Sequence, residues 1–149
     1  MTTTLHERSV HIDASVGRVF DYVQEPRHFL EAFPEDAQSH MGLTEVKHTP
    51  DGAVSSYRIM GRVLLLFHME WTITREEYVR NERIVDHASL GGMWTYTFEP
   101  DETGTTLTIA FGWSGRVPDP VGKVWDRMGW NGDEDLDAML ANLKQAIEI

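Results

Sequence analysis

The chain has 149 residues and a mass of 17.0 kDa, a length typical of one domain that buries a core without disulfides or structural metals. It contains no cysteine, which excludes disulfide scaffolds, cysteine-ligated zinc, iron–sulfur clusters and thiol nucleophiles. Thirteen Lys and Arg against 24 Asp and Glu give a net charge of −11. Such a charge repels phosphate backbones and anionic lipid headgroups, so we expect no nucleic-acid partner.

The first third of the chain predicts one strand followed by two short helices. Residues 5–12 alternate between polar and apolar side chains, as in a half-buried strand. Asp13 then provides an N-cap for a helix whose apolar residues have helical spacing. Pro26 ends this helix and begins a second short one, which stops before Pro34.

From about residue 41 to residue 114 the hydrophobic period is two, which predicts antiparallel strands separated by turns. Residues 50–52 and 100–104 have the clearest turn compositions. We predict one continuous strand from Arg62 to Thr74, with its odd-numbered apolar residues on the inner face. Large side chains from several strands share that face. These are Tyr57, Met69, Trp71, Trp94, Tyr96 and Trp113.

The last third predicts a long helix that begins at Asp119-Pro120 and includes an apolar stripe to Ile147. Gly129 and Gly132 interrupt it, so we expect a kink or a break there. The order of elements indicates an α+β fold, in which a curved antiparallel sheet of about six to seven strands surrounds a long C-terminal helix. We expect a single domain over residues 1–149.

The longest purely apolar run, from Val63 to Phe67, is five residues, far short of the roughly 20 that span a bilayer. The N-terminal residues lack the charged and apolar regions of a secretion signal. We therefore expect a cytoplasmic protein without membrane insertion.

The element order and several short strings resemble the START-like or SRPBCC superfamily of polyketide cyclase/dehydrase and lipid-transport proteins. The strings are Ile12-Asp13-Ala14, Val19-Phe20-Asp21-Tyr22-Val23, Phe98-Glu99-Pro100 and Leu140-Ala141-Asn142-Leu143-Lys144. The resemblance covers nearly the whole chain. It implies a helix-grip fold with a cavity between the sheet and the C-terminal helix, and it implies no particular activity because this superfamily has no universal catalytic motif.

On this resemblance, aromatic and methionine side chains would line the cavity, although the same side chains could pack as a solid core. The candidates are Tyr57, Met69, Trp71, Trp94, Tyr96, Trp113, Trp125 and Met128. The Tyr57 and Tyr96 hydroxyls need partners in an apolar interior. Asp86 and His87 are adjacent on one strand, so only one of them can face inward. Arg75 continues an inner face near a strand end, where arginine more often turns toward solvent.

Three classes of function stay open. The first is binding of a small or medium hydrophobic molecule, lipid-like or polyketide-like, in the cavity. The second is a polyketide cyclase or dehydratase, with Tyr57, Tyr96 and either Asp86 or His87 as acid–base candidates. The third is a protein-interaction module or homodimer, suggested by Leu64 and Leu66 on an outer strand face.

Neither a metal nor a cofactor is expected. The seven histidines show no H-x-x-x-H or H-E-x-x-H spacing. His68-Met69-Glu70 matches half of a zinc deaminase signature, but the other half requires cysteines that this chain lacks.

Overall fold

The computed structural model describes residues 2–33, 41–63, 67–89, 91–114 and 132–149. The described residues form seven strands and three helices. In chain order these are β1 (Thr2–Ile12), α1 (Val16–Val23), α2 (Pro26–Ala32), β2 (Met41–His48), β3 (Val54–Val63), β4 (Phe67–Val79), β5 (Arg83–Ala88), β6 (Gly92–Pro100), β7 (Thr105–Ser114) and α3 (Gly132–Ile147).

The seven strands form one antiparallel sheet in the order β1-β7-β6-β5-β4-β3-β2, so β1 and β2 are its edges. The C-terminal helix α3 packs mainly against β1 and also contacts α1 and α2. This arrangement confirms the predicted α+β helix-grip fold. None of the helices within the described ranges combines the length and the apolar character needed to cross a bilayer.

Side chains along β6 and β7 alternate between the inner and outer faces of the sheet, and those on the inner face form much of the core. Their inward residues face one another across the ladder as Trp94↔Phe111, Tyr96↔Ile109 and Phe98↔Leu107, and all six are buried. From the opposite side, α3 buries Leu136, Met139, Leu140, Leu143 and Ile147. Removing this apolar area from water contributes about 25 cal/mol per Å² and makes the sheet and helix one unit.

The predicted continuous strand from Arg62 to Thr74 is wrong. Arg62 pairs with His68 and Val63 with Phe67, so the chain reverses direction between β3 and β4. Apolar residues fill the segment between them, and it contains neither glycine nor proline, so the sequence carries no turn signal there. The inward position of Ile73, which is buried, agrees with the predicted face.

The predicted N-cap of α1 is also wrong. Ser15, not Asp13, occupies that position and accepts a hydrogen bond from the Arg18 backbone N–H at 3.3 Å. The Asp13 carboxylate instead contacts His11. The described part of α3 begins at Gly132, and the residues before it, including Gly129, lie outside the described residues, so the predicted kink or break stays a prediction.

Candidate ligand site in the interior

Four polar side chains meet in the interior, and we call them the buried polar cluster. They come from four neighbouring strands: Tyr57 from β3, Arg75 from β4, Asp86 from β5 and Tyr96 from β6. Arg75 and Asp86 are direct partners in the β4–β5 ladder, next to an irregularity in register between Arg75 and Glu77. Only 3% of the Arg75 side chain and 1% of the Asp86 side chain are exposed, and both tyrosines are buried.

Arg75 and Asp86 form a bidentate ion pair. The Arg75 Nε donates to Asp86 Oδ1 at 2.9 Å, and Nη2 donates to Asp86 Oδ2 at 3.2 Å. The remaining terminal nitrogen, Nη1, donates at 3.0 Å to the carbonyl of Gln24, the C-cap residue of α1. The guanidinium therefore links the sheet to the end of a helix while its charge is balanced by Asp86.

The two tyrosines differ in their partners. Tyr57 donates its hydroxyl proton to Asp86 Oδ2 at 3.4 Å. Tyr96 lies close enough to Asp86 and Arg75 to feel both charges, yet within the described part of the chain its hydroxyl makes no hydrogen bond. Tyr96 thus offers the cluster's available donor.

Burial and the neighbouring charges shift the pKa values of Tyr57, Tyr96 and Arg75. Desolvation raises the pKa of Tyr57 and of Tyr96 well above the ordinary tyrosine value, and the Asp86 charge raises both further. For Arg75 burial opposes the charge, but Asp86 more than offsets it and the pKa is raised. Both hydroxyls consequently stay protonated and act as donors, beside a guanidinium that stays charged.

Aromatic rings form the apolar wall beside this cluster. Phe29 of α2 packs edge-on against Trp94 at a centroid distance of 5.3 Å and against Tyr57 at 6.3 Å. Phe33 meets both Phe29 and Trp94. Neither Phe29 nor Phe33 was among the predicted lining residues, although their four-residue spacing in a predicted short helix was an available signal.

The structure brings together three of the predicted lining residues, namely Tyr57, Trp94 and Tyr96. Trp71 is partly buried and packs against the same core. The others fall outside the description: the side chains of Met69 and Trp113, and all of Trp125 and Met128. Leu64 and Leu66 also lie outside the described residues, so the interaction or homodimer hypothesis stays a prediction.

The choice between Asp86 and His87 is resolved by the β5 backbone. Asp86 points into the core, whereas His87 points outward and is half-buried, with Nδ1 3.9 Å from Glu76 Oε1. Arg75 stays on the inner face that the alternation of β4 gives it and does not turn toward solvent, so two charges lie in the interior. The physical reason is mutual compensation, because each charge satisfies the other across neighbouring strands.

A cleft of about 390 Å³ opens near the β2–β3 turn. It lies where β3 and β4 separate, since their pairing begins only at Ser56↔Thr74. Its walls are Thr49, Pro50, Asp51, Ala53, Val54, Ser55, Arg75 and Tyr78. The volume falls in the range of small-ligand sites, but the cleft lies at one end of the sheet and not along α3.

No group of three or more His, Asp or Glu side chains that could hold a metal ion occurs in the part of the chain that the structure describes. The interior site combines the Arg75–Asp86 ion pair and the Tyr57 and Tyr96 hydroxyls with a wall of aromatic rings.

Comparisons with known proteins define the relationships of this fold. A protein-family model described as "Polyketide cyclase / dehydrase and lipid transport" matches residues 4–148. A START superfamily protein from Mycobacterium smegmatis is 14% identical with a TM-score of 0.67, and the alignment covers 98% of each chain. No curated protein sequence matches.

Two further solved structures have the same fold. A protein from Chromobacterium violaceum is 18% identical with a TM-score of 0.61, covering 99% of this chain and 98% of that one. An AHSA1-like protein from Aeromonas hydrophila is 15% identical with a TM-score of 0.55, covering 98% of this chain and 94% of that one. At such identities the similarity shows the fold alone.

Proposed function

The chain belongs to the polyketide cyclase/dehydrase and lipid-transport family, and from this membership we propose that it binds a lipid-like or polyketide-like molecule between the sheet and α3. Family and fold support a hydrophobic ligand in general. The ligand's apolar part would contact the aromatic wall, and its burial would contribute roughly 25 cal/mol per Å².

The observation that carries this proposal is the state of the Tyr96 hydroxyl. It is protonated, lies in the core and makes no hydrogen bond within the described residues. A hydroxyl in apolar surroundings gains about 0.5–1.5 kcal/mol, net, from a hydrogen bond to an acceptor. An acceptor atom on a ligand would satisfy Tyr96 while the rest of the molecule occupies apolar surroundings.

Native mass spectrometry of freshly purified protein tests the proposal, followed by denaturing extraction and identification of any released compound. We expect a discrete adduct, and we expect Tyr96→Phe to lower its occupancy. Tyr22→Phe is the matched control, because Tyr22 stacks on His28 away from the buried polar cluster. Loss of the adduct in both variants, or no adduct together with no binding of the uncharged fluorescent probe Nile red, would contradict the proposal.

The second candidate is a cyclase or dehydratase, and the Tyr57–Asp86 hydrogen bond favours it. Tyr96 can donate to a developing enolate oxygen, which is the role of an oxyanion-stabilising donor, and Tyr57 could do so only by giving up its hydrogen bond to Asp86. The cluster is less suited to removing a proton, because both tyrosines stay protonated and Asp86 is held by Arg75. Because the cluster offers a proton donor but no free base, we prefer ligand binding to catalysis as the proposed function.

Turnover of a synthetic poly-β-ketone thioester, followed by absorbance of the aromatic product, tests the enzyme. If the protein is a cyclase, Tyr57→Phe and Tyr96→Phe should each lower the rate about 100-fold. Equal rates in the wild type and both variants would remove these residues from the mechanism.

A further inference from the structure

Within the buried polar cluster, the positive charge of Arg75 is neutralised by Asp86. Asp86 occupies two N–H groups of the Arg75 guanidinium and the Gln24 carbonyl occupies a third. The pair as a whole is neutral. A ligand entering beside it meets two protonated hydroxyls, on Tyr57 and Tyr96, and no uncompensated cation from the cluster.

The neutrality of the Arg75–Asp86 pair makes the affinity of the site depend on the charge of the ligand. A ligand carboxylate next to Asp86 would be a second anion beside one cation, and the excess buried negative charge would be uncompensated. An uncharged ketone or amide oxygen only accepts a hydrogen bond, which Tyr96 is free to donate within the described chain. The cluster therefore fits a neutral acceptor better than an acid.

We infer that Asp86 is the residue that sets ligand charge: it makes the interior site accept uncharged carbonyl compounds and exclude carboxylates. The inference rests on the proposed function and deepens it. Without the Asp86 charge, the buried guanidinium would lack a counter-ion, and a ligand carboxylate could supply one through the same bidentate geometry.

Three naphthalene compounds of similar size provide the test: 2-acetylnaphthalene, 2-naphthamide and 2-naphthoate. The first two are neutral acceptors, and the third is an anion at neutral pH. Dissociation constants can be measured by isothermal titration calorimetry or by quenching of tryptophan fluorescence. We expect wild-type protein to bind either neutral compound at least about tenfold more tightly than 2-naphthoate.

Asp86→Asn should reverse this preference. Asparagine keeps the side-chain size and an oxygen that accepts from Arg75, while the guanidinium charge becomes available. We expect 2-naphthoate to bind this variant at least about tenfold more tightly than it binds the wild type. Asp137→Asn is the matched control, because Asp137 makes a similar bidentate pair with Arg8 on the exposed surface; all three dissociation constants should stay at wild-type values.

The outcomes separate the inference from the function on which it rests. Wild-type protein that binds 2-naphthoate as tightly as 2-naphthamide would overturn the inference, and this comparison needs no variant to fold. A folded Asp86→Asn protein with unchanged affinity for 2-naphthoate would also overturn it. If none of the three compounds bound either protein, the proposed function would itself be contradicted.

Discussion

Two acid–base clusters among the described residues have similar distances and opposite surroundings. Inside, Arg75 and Asp86 lie 2.9 Å apart with 3% and 1% of their side chains exposed. At the surface, His11 lies 2.7 Å from both Asp13 and Asp101, and the exposed fractions of the three side chains are 40%, 68% and 29%. We call the second group the corner cluster.

The comparison shows that distance alone does not tell what an ion pair does. In the interior each charge depends on the other, because water cannot replace a missing partner. At the surface water and salt compete, so such pairs contribute little individually. The corner cluster instead joins elements: Lys144 of α3 donates to the His11 carbonyl at 2.7 Å, and Asp101 lies in the β6–β7 turn.

The largest effect should come from breaking the interior pair. Arg75→Met leaves the Asp86 carboxylate buried without its cation, and we expect a loss of about 3–5 kcal/mol in the free energy of unfolding. Urea denaturation monitored by circular dichroism measures it. Arg8→Met, which removes the exposed partner of Asp137, should change stability far less. Equal losses in the two variants would remove the distinction between the clusters.

The double variant Arg75→Met/Asp86→Leu sharpens the same comparison. Replacing a whole buried ion pair by apolar side chains is often neutral or stabilising, so we expect this variant to recover most of the stability lost in Arg75→Met. If it did not, the stability would depend on the hydrogen bonds that the pair makes to Gln24 and Tyr57 and not on the unpaired Asp86 charge.

Close backbone packing beside the corner cluster should contribute more to stability than the charges of the cluster do. A Cβ on Gly104 would lie 2.2 Å from the Ile12 carbonyl oxygen and 3.1 Å from the Ala14 nitrogen, both backbone atoms. Gly104→Ala should therefore cost about 1–3 kcal/mol, the usual range for overpacking. Gly42→Ala is the control, since a Cβ there meets nothing within 4 Å. Thermal unfolding of both variants would decide, and equal melting temperatures would contradict the prediction.

A smaller effect should distinguish the two tyrosines of the interior. In ligand-free protein Tyr57→Phe removes the hydrogen bond to Asp86 and should cost about 1 kcal/mol. Tyr96→Phe removes no hydrogen bond within the described residues and should stay within about 0.5 kcal/mol of wild type. Urea denaturation compares them, and a greater loss in Tyr96→Phe would mean that its hydroxyl already has a structural partner.

The sequence predicted the parts of this fold that depend on period. Alternation along β6 correctly gave Trp94 and Tyr96 a common inner face, because side chains of a strand alternate between faces. It put Arg75 on an inner face but could not show that the side chain stays buried, because the compensating Asp86 is on another strand and becomes its partner only through pairing. The reversal of the chain between Val63 and Phe67 was not predicted for a related reason. It is evident only from the pairing of β3 with β4, because the residue types between them give no turn signal.

The same limit applies to the site. Tyr57, Tyr96 and Asp86 were candidates because polar groups on an apolar face need partners. Which of them would lack a partner could not be predicted, since hydrogen bonds depend on how neighbouring strands align. The rings of Phe29 and Phe33 belong to the site only because this part of the chain packs against Trp94 of the sheet, a tertiary contact that the sequence does not show.

The smallest effect should be the charge contribution of His11, and its dependence on pH distinguishes it from the interior pair. Hydrogen bonds first to Asp101 and then to Asp13 raise the pKa of His11 above its ordinary value of about 6.5. Because the folded pKa is the higher one, the stabilisation is complete below the unfolded pKa and disappears as pH rises through the folded pKa. His11→Gln should therefore destabilise the protein at mildly acidic pH and much less at alkaline pH, and added salt should reduce the difference.

Arg75→Met should show no such change over this range, since the guanidinium keeps its charge. Urea denaturation of both variants across the range measures the two profiles. A flat profile for His11→Gln would mean that the corner is held by the Gly104 contact and the Lys144 hydrogen bond, with the imidazole charge contributing nothing.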